Sequence, residues 1–473
     1  MVVLRAQRTT RARWRVSVEA MVCSVLTLCL VHALLSSMSL RTDVTLRLQQ
    51  TGADSDRAKK EGGLVVETEA WHKTEEVGAV GAFGSTASAG VDRVATGLLN
   101  SSFCSPSQET FVEGRGQVAA VLVLSYNRPR YLNTTLGAIR ERLKARSVSR
   151  KFPVFVSQDG DNADVSKVIE SFPSLVAGHL VHPRGEEGGL EGVKPRLRGY
   201  YYLSAHYKWA LGQIFDCMKH PKAIIVEDDM EVSVDFFQFF EGTARLLDKD
   251  PSLYAVSSWN DNGYGSYASD PRALRRTDFF GGLGWMLTRG LWDELKAGWP
   301  AAFWDDYMRQ DKQRQGRQTI VPEVSRNHNF GERGTSNPDD FFEMGIERIV
   351  SNSVYVPFAE EDLSYLELDR FKLDMWEKVR KSRTVDSKDN INDLAGEQDL
   401  VLYYGTQEEE EEILQTYFEL QYPPRGSFEG ITMIRNPNSK RSHMIYIAPS
   451  DHPKDSSAVQ AQGAGGQGEQ DEA

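Results

Sequence analysis

The sequence has little cysteine, with four residues in a chain of 473. Two of them, Cys23 and Cys29, lie in an apolar segment near the N-terminus. So few cysteines exclude the class of small secreted scaffolds in which disulfides replace a core. We expect no bridge between the remaining pair, Cys104 and Cys217. The chain is 40% hydrophobic and long enough to bury a sizeable core instead.

The chain also lacks an excess of basic residues, since its formal net charge is −12. A general nucleic-acid binding surface needs clustered basic residues, so this charge argues against a nucleic-acid partner. We find no internal repeat in the sequence, which argues against a solenoid or a propeller. These absences leave a globular protein of one or two domains.

Long apolar runs are scarce as well, and the one near the N-terminus, residues 20–40, is interrupted only by His32. Five arginines precede it: Arg5, Arg8, Arg11, Arg13 and Arg15. About twenty apolar residues suffice to span a bilayer, and arginines on one side favour the cytoplasm for that end. The pattern predicts a cytoplasmic tail (1–19), a transmembrane signal anchor (20–40) and a lumenal remainder, in the type II orientation. A cleaved signal or transit peptide is the alternative.

Low-complexity segments flank the region with a globular composition. Residues 41–117 are rich in glycine, serine, threonine and acids, which is typical of a flexible stem. Asn100 and Asn133 each begin a glycosylation acceptor pattern. Residues 450–473 have a composition that predicts disorder.

Short apolar runs that end in polar residues recur through the central region. Strands are predicted over 118–124, 152–156 and 223–226, and residues 255–263 are predicted to form a strand that ends in a polar turn. Helical patterns cover residues 131–143 and 202–218. Strands that alternate with helices predict a doubly wound α/β sheet. Ligands of such sheets bind outside the carboxyl ends of the strands.

Three acids, Glu227, Asp228 and Asp229, follow the strand over 223–226 directly. Adjacent carboxylates repel one another, so we expect a cation to share the site. A divalent ion held by one carboxylate and by substrate phosphates meets that need. An exposed acidic turn is the alternative.

Other polar residues follow the same strands or the neighbouring helix. Arg128 comes after the first strand, where a guanidinium can bind a diphosphate, and Asp159 comes after the second, where it can accept hydrogen bonds from a nucleoside. His206 lies beside the apolar stripe of a helix. A surface arginine, an Asp-Gly turn and a buried core histidine are the respective alternatives.

Downstream, Asp305 and Asp306 lie among aromatic residues, where burial can raise the pKa of an acid that acts as a general base. A helix cap beside a packed aromatic residue is the alternative. Residues 323–336 are polar and punctuated by glycine, as in a mobile loop over a site. His328 in that loop is a lesser metal candidate.

Taken together, these segments resemble the N-acetylglucosaminyltransferase I family. The matching blocks occur in one order: 152–159 (FPVFVSQD), 206–213 (HYKWALGQ), 226–232 (VEDDMEV), 258–263 (SWNDNG), 276–285 (RTDFFGGLGW), 299–308 (WPAAFWDDYM), 323–326 (EVSR) and 362–366 (DLSYL). The resemblance covers about residues 118–449. It implies a GT-A type, Rossmann-like nucleotide-sugar domain (118–345) with a smaller mixed α/β C-terminal domain (346–449).

The resemblance also implies the reaction. Members of the family are Golgi membrane enzymes that use UDP-GlcNAc and Mn²⁺. They transfer GlcNAc with inversion, in β-1,2 linkage, to the α-1,3-linked mannose of a trimmed high-mannose N-glycan on a glycoprotein. This step begins hybrid and complex N-glycans.

Residue roles follow from the matching blocks, again as implications of the resemblance. Asp229 is similar to the metal ligand, and Asp305 to the catalytic base. The remaining matches are donor contacts: Arg128 (diphosphate), Asp159 (uracil), His206, Glu227 and Asp228 (donor sugar and ribose), and Ser336 (the loop over the diphosphate).

The sequence departs from the animal members of the family at their disulfides. Tyr126, Gly160, Ala255 and Thr319 stand at the corresponding positions, so both of those bridges are absent. Asn127 also replaces an acid.

Three other functions are consistent with parts of the pattern. The first is the related transferase that adds GlcNAc to O-linked mannose, but it carries an extra folded domain for which the predicted stem leaves no room. The second is a non-catalytic glycan-binding protein, which the presence of Asp229 and Asp305 disfavours. The third is a glycosidase with two carboxylates, which the nucleotide-type strand ends disfavour.

Overall fold

A computed structural model describes residue 104 and residues 116–146, 149–184, 190–331, 345–385, 398–439 and 443–451. The predicted tail, anchor and nearly all of the stem lie outside these residues, as do Ser336 and residues 452–473. Within the described part of the chain, no helix has the length and apolar character needed to cross a bilayer.

Strands and helices alternate through the first part of the fold. In chain order the elements are β1 (Ala120–Ser125), α1 (Pro129–Arg146), β2 (Val154–Asp159), α2 (Ala163–Glu170), β3 (Val176–His182), α3 (Pro195–Gly212), β4 (Lys222–Glu227), β5 (Met230–Val232), α4 (Phe236–Leu247), β6 (Leu253–Ser257), β7 (Leu274–Thr277), β8 (Trp285–Thr288), α5 (Arg289–Leu295), α6 (Trp304–Arg309), α7 (Asp311–Arg314), β9 (Gln318–Pro322) and β10 (Asn327–Asn329). Helix α3 continues into a π-helical turn, Gln213–Cys217.

Eight of these strands form one mixed sheet in the order β3-β2-β1-β4-β8-β6-β9-β7. Strands β3, β2, β1 and β4 are parallel, whereas β8 runs antiparallel to both β4 and β6. The chain moves outward from β1 to β2 and β3, then returns to place β4 on the other side of β1. The carboxyl ends of β1 and β4 therefore meet at a topological switch point, where open α/β sheets bind their ligands.

Both faces of this sheet are buried, which explains the continuous apolar runs of β1 and β4. Val121 and Val123 of β1 belong to a core that includes side chains of α1, α2 and α4. The alternate residues Ala120 and Leu122 belong to a second core with α3, α5 and the tryptophans of residues 285–304. Alternation along one strand thus anchors helices on both faces.

A five-stranded sheet forms in the C-terminal part. The elements are α8 (Leu368–Lys381), β11 (Arg383–Thr384), β12 (Leu400–Tyr404), α9 (Gln407–Glu412), β13 (Ser427–Phe428), β14 (Ile431–Arg435) and β15 (Met444–Pro449). Their order is β11-β12-β15-β14-β13. Phe428 of β13 and Phe371 of α8 extend the core under the large sheet.

The predicted α/β class and the predicted strands are confirmed, with shifts of one to three residues at their ends. The sheet is mixed where the sequence predicted only its parallel part. Helix α3 begins at Pro195, earlier than the predicted 202, with proline at its first position. The predicted domain boundaries stay predictions.

The expectation about cysteine is wrong, because Cys104 and Cys217 form a disulfide with their Cα atoms 5.3 Å apart. Cys217 ends the π-helical turn before β4. The two cysteines are 113 residues apart, and only the fold brings that turn next to residue 104. Sequence spacing carries no information on this pairing.

Candidate active site

The pairing of β1 with β4 builds the centre of the site. Leu124 of β1 lies opposite Glu227 of β4, so the chain leaves both strands at the same level. Asp228 and Asp229 follow β4, and Arg128 lies between β1 and α1. Residues about 100 positions apart in sequence thus converge at one sheet edge.

Arg128 contacts two of the three carboxylates. Its guanidinium donates to Asp228 Oδ1 and lies 2.8 Å from Asp229 Oδ2. Asp228 is only 2% exposed, and its Oδ2 accepts a hydrogen bond from Ser125 Oγ at 2.9 Å. The Thr135 hydroxyl of α1 donates to the carbonyl oxygen of Asp228 at 2.7 Å. The predicted exposed acidic turn is therefore excluded.

Glu227 contacts a different element from Asp228 and Asp229, helix α3. Its Oε1 accepts a 2.7 Å hydrogen bond from the hydroxyl of Tyr207, a residue of α3. Burial, followed by the charges of Glu227, Asp305 and Asp229, raises the pKa of Tyr207 well above its usual value. The hydroxyl therefore remains a donor throughout the physiological pH range.

The electrostatics of these three acids, which we call the acidic triplet, are unbalanced. Burial and the charge of Asp229 raise the pKa of Glu227 to about 7, despite Tyr207 and Arg128. Burial raises the pKa of Asp228 to about 6, although Arg128 opposes the shift. The described residues supply one guanidinium for three carboxylates, so added positive charge would stabilise the triplet.

Asp229 has an oxygen suited to a metal ion. Its Oδ1 is buried and has no hydrogen-bond partner among the described residues. Gly331 approaches so closely that a Cβ there would collide with the Asp229 carboxylate. The described residues contain no group of three or more metal-ligating side chains. The donor set therefore fits a divalent cation bound by one protein carboxylate, with its other ligands from substrate or water.

Asp159, at the end of β2, lies in a cluster in which neighbouring groups compensate its negative charge. It is 3% exposed; its Oδ1 accepts from His182 Nδ1 at 2.7 Å and its Oδ2 from Arg184 Nη1 at 2.6 Å. Burial acts to raise the pKa of Asp159, but the His182 hydrogen bond and the surrounding positive charges outweigh it and lower the pKa. We call Asp159, His182 and Arg184 the Asp159 cluster.

His206 lies beside this cluster, on α3. Its Nε2 is 2.8 Å from Ser157 Oγ, and its ring stacks on His182 with centroids 5.4 Å apart. Burial lowers the pKa of His206 to about 4, so the ring is neutral near pH 7. The residue is buried, as its core alternative predicted, yet it lies at the same sheet edge as Asp159.

Sequence reasoning missed Arg184. Its guanidinium carbon lies 3.9 Å from the ring centroid of Tyr126 and 4.0 Å from that of Tyr202. Its side chain also packs beside Gly160. Arg184 thus occupies the space next to two positions that carry cysteine in animal members. At the other pair, Ala255 and Thr319 are direct neighbours across β6 and β9.

Asp305 lies in the first turn of α6. Its carboxylate is 37% exposed, and Oδ2 accepts a 2.9 Å hydrogen bond from Arg309 Nη1. Asp306 contacts the same nitrogen at 3.0 Å but is 53% exposed. The charge of Asp305 contributes to the raised pKa of Tyr207, so these two side chains are close enough to interact electrostatically.

Aromatic side chains form a wall behind α6. Trp304 stacks on Tyr207 at 4.1 Å and lies between Trp285 and Trp299, nearly parallel to both. The guanidinium of Arg309 lies over Phe279, as does that of Arg425 from the C-terminal part. Neither Arg309 nor Arg425 was identified from the sequence, which carries no signal for them.

The structure therefore brings together most of the predicted site residues. Arg128 is in direct contact with Asp228 and Asp229, and Asp159 and His206 lie at the end of β2. Trp304, the residue before Asp305, stacks on Tyr207, whose hydroxyl contacts Glu227 of the triplet. Ser336 lies outside the described residues. His328, in β10, is paired in register with Glu231 of β5.

Comparisons with known proteins give a consistent result. The model of the GNT-I family matches residues 92–455. The chain is similar to the alpha-1,3-mannosyl-glycoprotein 2-beta-N-acetylglucosaminyltransferase of Arabidopsis thaliana, with 38% identity over 343 residues, which is 70% of this chain and 74% of that protein.

Similar solved structures share less. One is the mannosyltransferase PcManGT from Pyrobaculum calidifontis in complex with GDP-Man and Mn²⁺, with 16% identity, 50% of this chain and 63% of that chain covered, and a TM-score of 0.29. Another is S. aureus TarS 1–349 in complex with UDP, with 11% identity, coverage of 44% and 58%, and a TM-score of 0.31.

Proposed function

Since the chain belongs to the GNT-I family, we propose that it transfers GlcNAc from UDP-GlcNAc, in β-1,2 linkage, to the α-1,3-linked mannose of a high-mannose N-glycan on a glycoprotein. The chain is an N-acetylglucosaminyltransferase, and the donor, the metal and the residue roles are our inference. One observation carries the inference: three carboxylates and one guanidinium meet at the topological switch point of the sheet, where ligands of such sheets bind.

Asp305 acts as the general base. Inversion requires one group to accept the proton of the mannose hydroxyl while its oxygen attacks the anomeric carbon. Arg309 binds Oδ2 of Asp305, which leaves Oδ1 available for that proton among the described contacts. The new C–O bond forms as the bond to UDP breaks, and UDP leaves with the bonding electron pair.

Arg128 and Asp229 bind the diphosphate end of the donor. The guanidinium of Arg128 exchanges part of its carboxylate contacts for phosphate oxygens. Asp229 would hold Mn²⁺ through its unpartnered Oδ1. When bound, Mn²⁺ supplies charge neutralisation for the leaving UDP, so no general acid is needed.

The remaining contacts orient the nucleoside and the sugar. Asp159 accepts a hydrogen bond from uracil N3–H; its internal partners use two of the roughly four acceptor positions of a carboxylate. Glu227 and Asp228 accept hydrogen bonds from hydroxyl groups of the sugar and ribose. His206 supports the same end of the donor, and Ser336 contributes from the loop over the diphosphate.

The test is a transfer assay on the full chain with UDP-GlcNAc, Mn²⁺ and a five-mannose N-glycan. We expect one added GlcNAc, released by a β-1,2-specific hexosaminidase. A glycan without the α-1,3-linked mannose is the matched control and should accept none. Transfer to an O-mannosyl peptide alone, or release of sugar from the glycan without UDP-GlcNAc, would overturn the proposal.

We also propose that the enzyme works in the Golgi lumen, anchored by residues 20–40. The support is the sequence pattern of arginines before an apolar segment. In sealed Golgi vesicles, a C-terminal epitope should resist protease until detergent is added. Digestion of that epitope in intact vesicles would contradict this orientation.

A further inference from the structure

Tyr207 joins two parts of the site that are far apart in sequence. It is 1% exposed and lies on α3, between the strand end that carries the triplet and the helix that carries Asp305. Its hydroxyl and its ring face different partners. This position gives one side chain access to both ends of the proposed reaction.

The hydroxyl of Tyr207 fixes Glu227. It donates a 2.7 Å hydrogen bond to Oε1, a distance typical of an O–H donor and an oxygen acceptor. Glu227 is the last residue of β4, so its backbone is fixed but its side chain retains rotatable bonds. The Tyr207 hydroxyl selects one orientation of this carboxylate.

The ring of Tyr207 fixes the start of α6. It stacks on Trp304 with centroids 4.1 Å apart and planes inclined by 23°. Trp304 is the first residue of α6, directly before Asp305. Offset stacking of this kind contributes orientation as well as buried area.

Helix α6 depends on such packing because its own start is weakly determined. It has only six residues, and its N-cap Phe303 makes no side-chain capping hydrogen bond and has left-handed backbone angles. Helix α3 supplies a second attachment, since the Trp299 indole donates to the carbonyl of Ser204 at 3.0 Å. Helix α3 therefore supplies two of the contacts that hold the chain before and at the start of α6.

We propose that Tyr207 is a positioning residue that aligns the donor with the catalytic base, through its hydroxyl on Glu227 and its ring on Trp304. This inference rests on the proposed function, in which Glu227 contacts the donor and Asp305 accepts the proton. A displacement of about 1 Å between reacting groups can lower a rate about 100-fold, so such alignment matters.

Two substitutions separate the two contacts. Tyr207→Phe keeps the ring and removes the hydroxyl, so the KM for UDP-GlcNAc should rise about tenfold while kcat stays within about twofold. Tyr207→Leu also removes the stack, so kcat at saturating donor and acceptor should fall about 100-fold further.

Tyr254→Phe is the matched control. Tyr254 is also a buried tyrosine of the same core, but its hydroxyl contacts only Met308 Sδ, at 3.5 Å, among the described residues. We expect it to have the KM and kcat of the unmodified chain. Thermal unfolding of each variant identifies losses that come from instability.

The inference is overturned if Tyr207→Phe has the same donor KM as Tyr254→Phe, or if folded Tyr207→Leu keeps the kcat of Tyr207→Phe. If Tyr207→Leu does not fold, the comparison of the two phenylalanine variants decides. Failure of the unmodified chain to transfer GlcNAc would instead overturn the proposed function, so the two failures are distinguishable.

Discussion

Buried carboxylates lie at two strand ends of one sheet, but neighbouring positive groups compensate their charge at only one of these ends. At the end of β2, Asp159 has a histidine and an arginine as direct partners. At the end of β4, the acidic triplet shares Arg128. Strand β1 lies between them. The same sequence signal, an acid after a buried strand, has produced two different electrostatic sites.

The difference indicates what each end can bind. The Asp159 cluster has a lowered carboxyl pKa and needs no further cation, so it suits a neutral, polar group such as a nucleobase. The triplet has two raised carboxyl pKa values and an unpartnered oxygen on Asp229, so it suits a cation. The predictions below test this comparison, from the largest expected effect to the smallest.

The largest effect should come from a residue outside both strand ends. Asp305→Asn removes the general base and should lower kcat about 1000-fold, while UDP affinity stays within about twofold. Asp306→Asn is the matched control, because Asp306 contacts the same Arg309 nitrogen. Turnover in Asp305→Asn equal to that of Asp306→Asn would show that the base lies elsewhere, and one of the strand ends would be the next candidate.

Removing Arg184, the cation paired with Asp159 at the end of β2, should destabilise the fold. Arg184→Ala leaves the Asp159 carboxylate buried with one partner fewer, and we expect a loss of about 3 kcal/mol in the free energy of unfolding. Arg317→Ala is the control: its side chain is 16% exposed, against 18% for Arg184, but its partner Glu294 is 48% exposed.

Arg317→Ala should therefore cost less than about 1 kcal/mol. Urea unfolding of both variants measures the difference. Equal losses would mean that Asp159 does not depend on Arg184 for its charge balance, and the contrast between the two strand ends would disappear.

At the end of β4, burial of Glu227 should lower the free energy of unfolding by an amount that depends on pH. The pKa of Glu227 is about 7 in the fold and 4.5 ordinarily, so above pH 7 the folded state bears the full cost of its ionised form. That cost decreases as the pH falls from 7 and is nearly gone at pH 4.5, where the group is protonated in the fold and half protonated in the unfolded chain. Without metal, Glu227→Gln should be more stable than the unmodified chain by about 3 kcal/mol at pH 8, and by less than about 0.5 kcal/mol at pH 4.5.

Denaturant unfolding at the two pH values measures this change. Glu231→Gln, at an exposed glutamate of the adjoining strand β5, is the control and should differ from the unmodified chain at neither pH. A gap for Glu227→Gln that is the same at pH 8 and pH 4.5 would show that burial of the triplet carries no electrostatic cost.

The smallest effect concerns recognition of the base at the end of β2. Asp159→Asn weakens the acceptor for uracil N3–H, so the preference for UDP over CDP should fall about tenfold. Asp261→Asn, at an aspartate paired with Arg425, should leave the preference unchanged. Competition of the two nucleotides against labelled UDP measures it. An unchanged preference in Asp159→Asn would show that the nucleobase does not bind at the end of β2.

Much of this arrangement could be predicted from the sequence, because it depends on local pattern. The apolar runs of β1, β2 and β4 predicted buried strands, and their polar ends predicted one ligand edge. Family resemblance then added Asp305, which no local pattern distinguishes from Asp306.

The rest depends on contacts between distant segments. Arg184 has no sequence signal, because its role arises only where β3 lies beside β2 and two tyrosine rings enclose it. The sequence indicated Tyr207 only as part of an apolar stripe. Its hydrogen bond to Glu227 forms because the end of β4 lies beside α3 in the fold, and the sequence pattern does not predict that contact. The prediction that Cys104 and Cys217 form no disulfide was wrong for the same reason.

The central claim is that the triplet, and not the Asp159 cluster, binds the divalent cation. The most direct test is a titration of Mn²⁺ into the full chain at saturating UDP, monitored by the electron paramagnetic resonance signal of free Mn²⁺. We predict one bound Mn²⁺ per chain, an affinity at least about 100-fold weaker in Asp229→Ala, and an unchanged affinity in Asp159→Asn. Full Mn²⁺ affinity in Asp229→Ala, or its loss in Asp159→Asn, would contradict the account.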